Sequence, residues 1–232
     1  MTTTADTILT AAINADLAID ASVPIADDTT EQLGELSRLV RRIYTLAAIP
    51  KKAGGWREGN YFTSTSTVSL ATPATTFVSL PATPECAWII RITTAGGTAV
   101  NLASLDDLRK NRAEYPPAIV LEGKQIRSAG RTGDPVAGAV LTVDYSYVPP
   151  ALTATTDYIG ATTPSDSSTT AWPGYAGDGY LIAAMTRYFV EKSGDADAGT
   201  LQRLDAKLAE QANILGPVVG IGPVALAAVL EQ

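Results

Sequence analysis

The longest uninterrupted helical pattern in the chain runs from Thr29 to Ile49. Leu33, Leu36, Leu39/Val40, Ile43 and Leu46/Ala47 recur at intervals of three and four, which at about 3.6 residues per turn gathers them into one apolar stripe. Glu35, Arg38, Arg41 and Arg42 fall elsewhere on the helix. Asp27, Asp28, Thr29 and Thr30 offer side-chain oxygens to the amides of the first turn, and Pro50 followed by Gly54-Gly55 stops the run. A helix with one long apolar face needs partners to cover it, and the pattern predicts that it is the central strut of the protein. A first partner lies upstream. Thr4 reads as the N-cap of a helix over residues 5–18 that carries Ile8, Leu9, Ala12, Ile13 and Leu17 at helical spacing.

Past the linker Lys51-Lys52-Ala53-Gly54-Gly55-Trp56-Arg57 the period changes to two and threonine and valine take over, so residues 61–148 read as β. Strands are predicted over 65–70, 76–80, 87–93, 118–121, 124–128 and 140–148, with a turn at Gly96-Gly97-Thr98 and a short helical turn over 105–112. Glu122-Gly123 joins two of these strands as a hairpin. The last strand alternates strictly, with Leu141, Val143, Tyr145 and Tyr147 on one face and Thr142, Asp144 and Ser146 on the other.

Residues 149–171 are rich in Thr, Ser, Ala and Pro and read as an extended arm or long loop. Helical spacing then returns: Trp172-Pro173 leads into Asp178-Gly179, and Leu181, Ala184/Met185 and Tyr188/Phe189 mark a helix ending near Ser193-Gly194. Leu201, Leu204, Leu208 and Leu215 mark another. The predicted fold is α+β. Residues 1–55 and 172–215 form an antiparallel four-helix bundle of two N-terminal and two C-terminal helices, 56–150 an inserted antiparallel β-sheet or barrel, 151–171 an arm or long loop, and 216–232 an extended C-terminal tail that is uncharged until Glu231.

Composition narrows the chemistry. With 232 residues, 46% hydrophobic, there is ample material for a core, but the chain has no histidine and a single cysteine. That removes the commonest general base and most soft metal ligands, so neither catalytic residues, a metal nor a cofactor is expected. Cys86, in the apolar run Cys86-Ala87-Trp88-Ile89-Ile90, reads as a small core residue. The N-terminus has no basic leader before its apolar residues, which points to a cytoplasmic origin, and no apolar run is long enough to span a membrane. A formal net charge of −7 makes the surface as a whole a poor match to a nucleic-acid backbone.

Within that acidic chain, Arg38, Arg41, Arg42, Lys51, Lys52 and Arg57 are the densest positive feature. They face DNA phosphate or an acidic partner, or they form a solvated helix face ion-paired to Glu31 and Glu35; the residues favour the second reading or a protein interface. The pairs Asp27-Asp28 and Asp106-Asp107 lack the spacing of a calcium loop and read as helix caps, as do Asp195 and Asp197. Gly174, Gly177 and Gly179 follow no strand and have no Walker lysine. Gly130 to Pro135 reads as a turn between strands, either as that alone or as a turn that also makes an intersubunit contact. Trp88, Tyr115, Tyr145 and Tyr147 suggest either a sugar-binding platform or, preferably, strand packing.

The order of elements carries a resemblance. A helix pair, a threonine-rich β insertion, the segment Ala113 to Leu121 running into Gly133-Asp134-Pro135 and Leu141 to Pro150, and a second helix pair headed by Trp172-Pro173-Gly174-Tyr175 together resemble the head-to-tail adaptor proteins of tailed bacteriophages. The resemblance implies a non-enzymatic virion protein at the head-tail junction, assembled in the host cytoplasm. It implies a ring of this chain, usually twelve copies, bound beneath the portal protein, meeting tail or nozzle proteins and continuing a channel for double-stranded DNA. By the same analogy the tail docks on the portal, through Pro217, Val218, Val219, Ile221, Val224, Leu226, Val229 and Leu230. A tail-tube or tail-terminator ring protein is the alternative within that class, and a carbohydrate-binding module the alternative outside it.

Overall fold

A computed structural model describes residues 2–15, 29–48, 62–103, 117–193 and 197–220. The helical turn expected at 105–112, the acidic pairs, Asp195 and the tail beyond Gly220 lie outside these residues. The fold is mixed α+β, and the chain divides into two units, one of Met1–Phe62 with Val148–Gln232 and one of Thr63–Tyr147.

The helical unit contains, among the described residues, α1 (Ala5–Asn14), α2 (Thr29–Ala48), α3 (Tyr175–Ser193) and α4 (Ala198–Val219). Thr4 caps α1 by accepting the Thr7 amide at 3.3 Å, and Asp197 caps α4 by accepting the Thr200 amide at 2.7 Å. The stripe predicted on α2 is buried from Leu33 to Ala47. It is not, however, the centre. That place belongs to α3, which packs on α4, α1 and α2 and buries Tyr180, Leu181, Ala184, Met185, Phe189 and Val190. A helix apolar on most sides sits in the middle, and this is why its stripe is less distinct than that of α2. The α3 helix also starts earlier than expected. It takes in Gly177 and Gly179, because a Cβ on Gly177 would run into the Trp172 indole, so glycine's poor helix propensity is accepted for close approach.

At the other end α4 runs past residue 215, through Pro217 to Val219, so the tail does not begin at residue 216 as expected. Leu215, Gly216 and Val219 are buried and hold the last turn in spite of the proline. Gly220, left-handed at φ 70°, closes it by donating its N–H to the Gly216 carbonyl.

Of the two readings offered for residues 151–171, an extended arm or a long loop, the structure shows the loop, and it is tied to the helical unit. The Leu152 amide donates to Ser37 Oγ at 2.9 Å, and the amides of Ala5 and Asp6 donate to the carbonyls of Asp157 and Thr155 at 2.9 and 2.8 Å. The Ile159 amide reaches the Thr3 carbonyl at 2.9 Å. Orphan donors of the first turn of α1 thus find their acceptors in this strap, which also buries Leu152, Ile159 and Ala161. Asp157, itself buried, folds the strap locally by accepting the amides of Thr153 and Ala154 at 2.7 and 2.9 Å. Tyr44 stacks on Phe62 with ring centroids 3.6 Å apart, and donates its hydroxyl to the Gly160 carbonyl at 3.1 Å. The strap ends at Trp172, whose Nε1 donates to Asp178 at 2.8 Å, while Thr3 donates to the other oxygen of the same carboxylate at 2.9 Å.

The β unit holds two sheets. Strands β1 (Thr63–Ser69), β7 (Val140–Val148) and β3 (Glu85–Thr94) form one in the order β1-β7-β3; β2 (Val78–Ser79), β6 (Gln125–Ser128), β5 (Ala118–Glu122) and β4 (Asn101–Ala103) form the other in the order β2-β6-β5-β4. The predicted alternation of β7 holds as far as Tyr145, with Leu141, Val143 and Tyr145 buried, and breaks at the end of the strand, where Ser146 is buried beside Tyr147. The hairpin is also found, pairing Glu122 with Gln125 around Gly123 at φ 58°. The sheets are not wholly antiparallel: β4 pairs with β5 in parallel, a direction that the long connection through residues 104–116 permits.

Candidate docking surfaces

Three surfaces follow from this framework. The first is the end of α4. Up to Glu210 its solvent side is mainly charged and polar, with Gln202, Arg203, Asp205 and Lys207 exposed; beyond it the exposed residues are Asn213, Ile214, Pro217 and Val218, none of them charged. Ile214 and Val218 lie one turn apart and are 41% and 45% exposed, so the last two turns carry a second apolar patch on the side away from the one that packs into the unit. Of the residues expected to dock on the portal, Pro217 and Val218 belong to this patch, whereas Val219 is buried. Ile221, Val224, Leu226, Val229 and Leu230 lie outside the described residues.

The second is the basic face of α2. The Arg38 guanidinium is held by two bonds to Glu35, at 2.7 and 2.8 Å, and its pKa is raised chiefly by that hydrogen bonding. Arg41 and Arg42 are half-buried. Lys51, Lys52 and Arg57 lie outside the described residues. The ion-paired reading therefore holds for Arg38, one turn from its partner. Glu31, on the same helix, receives Lys192 at 2.6 Å and the Tyr188 hydroxyl at 2.9 Å, which ties α2 to α3.

The third belongs to the β unit. The turn Gly130 to Pro135 is organised by Asp134, whose buried carboxylate accepts the amides of Ala118 and Arg131 at 2.9 and 2.7 Å and pairs with the Arg131 side chain at 3.2 Å. Burial pushes its pKa up, but those bonds outweigh burial and hold it below the usual carboxylate range. Asp144 is likewise lowered, first by the Thr65 hydroxyl and then by Arg91. Just past the Asp134 turn Val136 stands 71% exposed in a second turn, fixed by the Ala139 amide on its carbonyl at 3.0 Å and by the Gly138 amide on the Leu70 carbonyl at 3.1 Å. Gly138 at φ 73° supplies the left-handed position. Reading the sequence alone passes over this valine. The available signal is a lone apolar residue in a Pro-x-x-Gly turn.

Among the described residues, two of the four aromatics pack in the sheet as the preferred reading has it. Tyr145 and Tyr147 are buried, Trp88 is exposed, and Tyr115 lies outside the described residues. Cys86 is buried, as expected of a core residue, and burial pushes its thiol up to about 11, away from reactive thiolate. Among the described residues no group of three or more His, Cys, Asp or Glu side chains is placed to hold a metal ion, and no helix is long and apolar enough to cross a membrane.

What remains is a framework with contact surfaces. The family described as SU10 adaptor protein matches residues 3–220 of this chain, which takes in both units and ends at the cap of α4. No curated protein matches it.

Proposed function

Since the chain belongs to the SU10 adaptor protein family, we propose that this adaptor-type structural protein of a bacteriophage is one copy of a head-to-tail ring that joins the portal to the tail and continues the DNA channel. The family match over residues 3–220 carries the reading. The helices act as an antiparallel four-helix bundle forming the body of the ring, usually twelve copies, assembled in the host cytoplasm and carried in the virion at the head-tail junction. The apolar end of α4 with the tail from Pro217 to Leu230 grips the portal, where Ile214 and Val218 extend the contact back along the helix. Tail or nozzle proteins meet the opposite end. Ring geometry concentrates weak contacts, so that each can be modest while the assembly is stable. An acidic wall lets a duplex slide without sticking, and the Arg38 ion pair keeps one basic group from acting as a phosphate clamp.

The test is the mass of the assembled chain, by native mass spectrometry or light scattering, with and without residues after Gly220 and in the presence of a portal ring. Cutting after Gly220 leaves the α4 cap intact. The full chain should join the portal at ring stoichiometry and the truncated chain should not. Indifference to the portal combined with growth into stacked rings or tubes overturns the reading in favour of a tail-tube protein.

A further inference from the structure

A sheet ends in strands with one unpaired side, and each such edge is either blunted or open to another strand. Among the described residues three of the four edges of the β unit are blunted. In the four-stranded sheet the edge strands are short, β2 with two residues and β4 with three. In the other sheet the β3 edge is folded over at both ends by its own chain. The Cys86 N–H donates to the Pro81 carbonyl at 3.1 Å, the Thr94 N–H to the Thr98 carbonyl at 2.9 Å, and the Val100 N–H to the Ile92 carbonyl at 2.9 Å.

The fourth edge, β1, has none of these protections. It is seven residues long, TSTSTVS, with no charge, no proline and an unbroken register against β7. Leu70, which follows it, donates its N–H to the Ala139 carbonyl at 3.0 Å and accepts the Gly138 N–H at 3.1 Å, so its backbone groups face the β7 side. Backbone direction alternates along a strand, which turns the N–H and C=O of Ser64, Ser66 and Val68 towards β7 and those of Thr63, Thr65, Thr67 and Ser69 outward. Among the described residues no backbone group pairs with that outward row. The side chains of the same four residues are exposed, and the charges beside them, Asp144 and Arg91, neutralise each other.

We propose that β1 is a strand-acceptor edge, which takes an extended segment of another protein as the fourth strand of the sheet β1-β7-β3. Main-chain bonds supply the affinity, with one donor and one acceptor from each outward residue. The flanks set the chemistry of the partner: an uncharged run of alternating side chains, Thr, Ser or β-branched opposite Thr65 and Thr67, and apolar beside buried Val68 on the other face. The edges themselves argue against a second copy as the occupant. Among its described residues a second copy has no other edge of comparable length to offer, and β1 against β1 is a two-fold contact that closes at a dimer, whereas a ring needs a head-to-tail one. This rests on the ring reading, under which the end of α4 takes the portal and the donated strand comes from the tail side.

Hydrogen exchange of the full chain reads the edge directly. In the free chain the amides of Thr65, Thr67 and Ser69 should exchange fast while those of Ser66 and Val68 are slow. Capture by a portal ring should leave the outward amides fast, and purified tails added to that complex should slow them. Thr67→Pro removes an outward N–H and no bond to β7, so it should keep the thermal midpoint and portal capture but weaken tail joining about tenfold or more. Thr67→Val, which keeps that N–H, should restore tail joining.

Slow outward amides in the free chain would mean that the chain covers its own edge, and would overturn the proposal. Slowing on self-association or portal capture, before tails are added, would assign the edge to a second copy or to the portal and overturn it as well. So would tails that join while these amides stay fast, or tails that do not join at all. Should Thr67→Pro fail to fold, exchange in the wild type still decides. Portal capture by the wild type judges the adaptor reading separately: a chain indifferent to the portal whose outward amides slow on tails keeps the strand-acceptor edge and loses the adaptor.

Discussion

At the scale of single residues the most consequential group is Asp134. Its carboxylate is almost wholly buried and accepts two backbone amides, so removing it leaves buried donors behind at about 1–3 kcal/mol. The pH dependence follows from the direction of its shift. Burial raises the pKa, the Arg131 side chain and the two amides lower it, and the net value lies below that of an unfolded aspartate. A carboxyl whose folded pKa is depressed stabilises fully above its unfolded value, near about 4, and loses that stabilisation as pH falls through the folded value. The thermal midpoint of the wild type should therefore drop on acidification below about pH 4. Asp134→Asn, which keeps the shape but not the charge, should lower the midpoint at neutral pH and flatten the acid limb. An acid limb in the variant as steep as in the wild type would assign the effect to other carboxylates, Asp144 among them.

At the scale of elements the question is why some segments are legible and others not. Helices α1 and α2, and strand β7 as far as Tyr145, announce themselves because one face of each is more buried than the other, so burial is written into the spacing of Leu, Ile and Tyr. Helix α3 is legible as a helix but not as the centre, since a helix buried on several sides loses the contrast that periodicity reads. The strap escapes for a different reason. Its bonds to Thr3, Ala5, Asp6, Ser37 and Tyr44 join residues more than a hundred positions apart, and a Thr, Ser and Pro composition carries no trace of them. The parallel β4–β5 pair is hidden likewise, because sequence shows strands but not direction. Of the candidate docking surfaces, the apolar C-terminal run is visible as composition. The Val136 knob is not, since its prominence depends on a turn geometry that only the fold supplies. Hydrogen exchange gives the strap its test. The amides of Ala5, Asp6, Leu152 and Ile159 should exchange with the slow core of the helical unit, because each donates to a protein carbonyl or hydroxyl. Exchange at the rate of an unstructured peptide would return the segment to the extended arm that its composition also allows.

For the whole molecule the division of charge makes a prediction that depends on no single side chain. Acidic and basic residues are equal in number within Thr63–Tyr147, so if copies meet through the β unit the long-range electrostatic force between them is chiefly repulsion between helical units that each carry the chain's formal charge of −7. Salt screens that repulsion and does not weaken an apolar contact. Self-association should strengthen as the Debye length falls from about 30 Å at ~0.01 M salt to about 8 Å at ~0.15 M, and then level off. A contact made by the basic face of α2 against an acidic neighbour would behave in the opposite way, losing affinity over the same range, because attraction between opposite charges is screened just as repulsion is. Sedimentation of the full chain across a salt series separates the two by sign alone. A rise in oligomer mass is the sign of an apolar contact made against that repulsion, and a fall the sign of a contact through the arginines of α2.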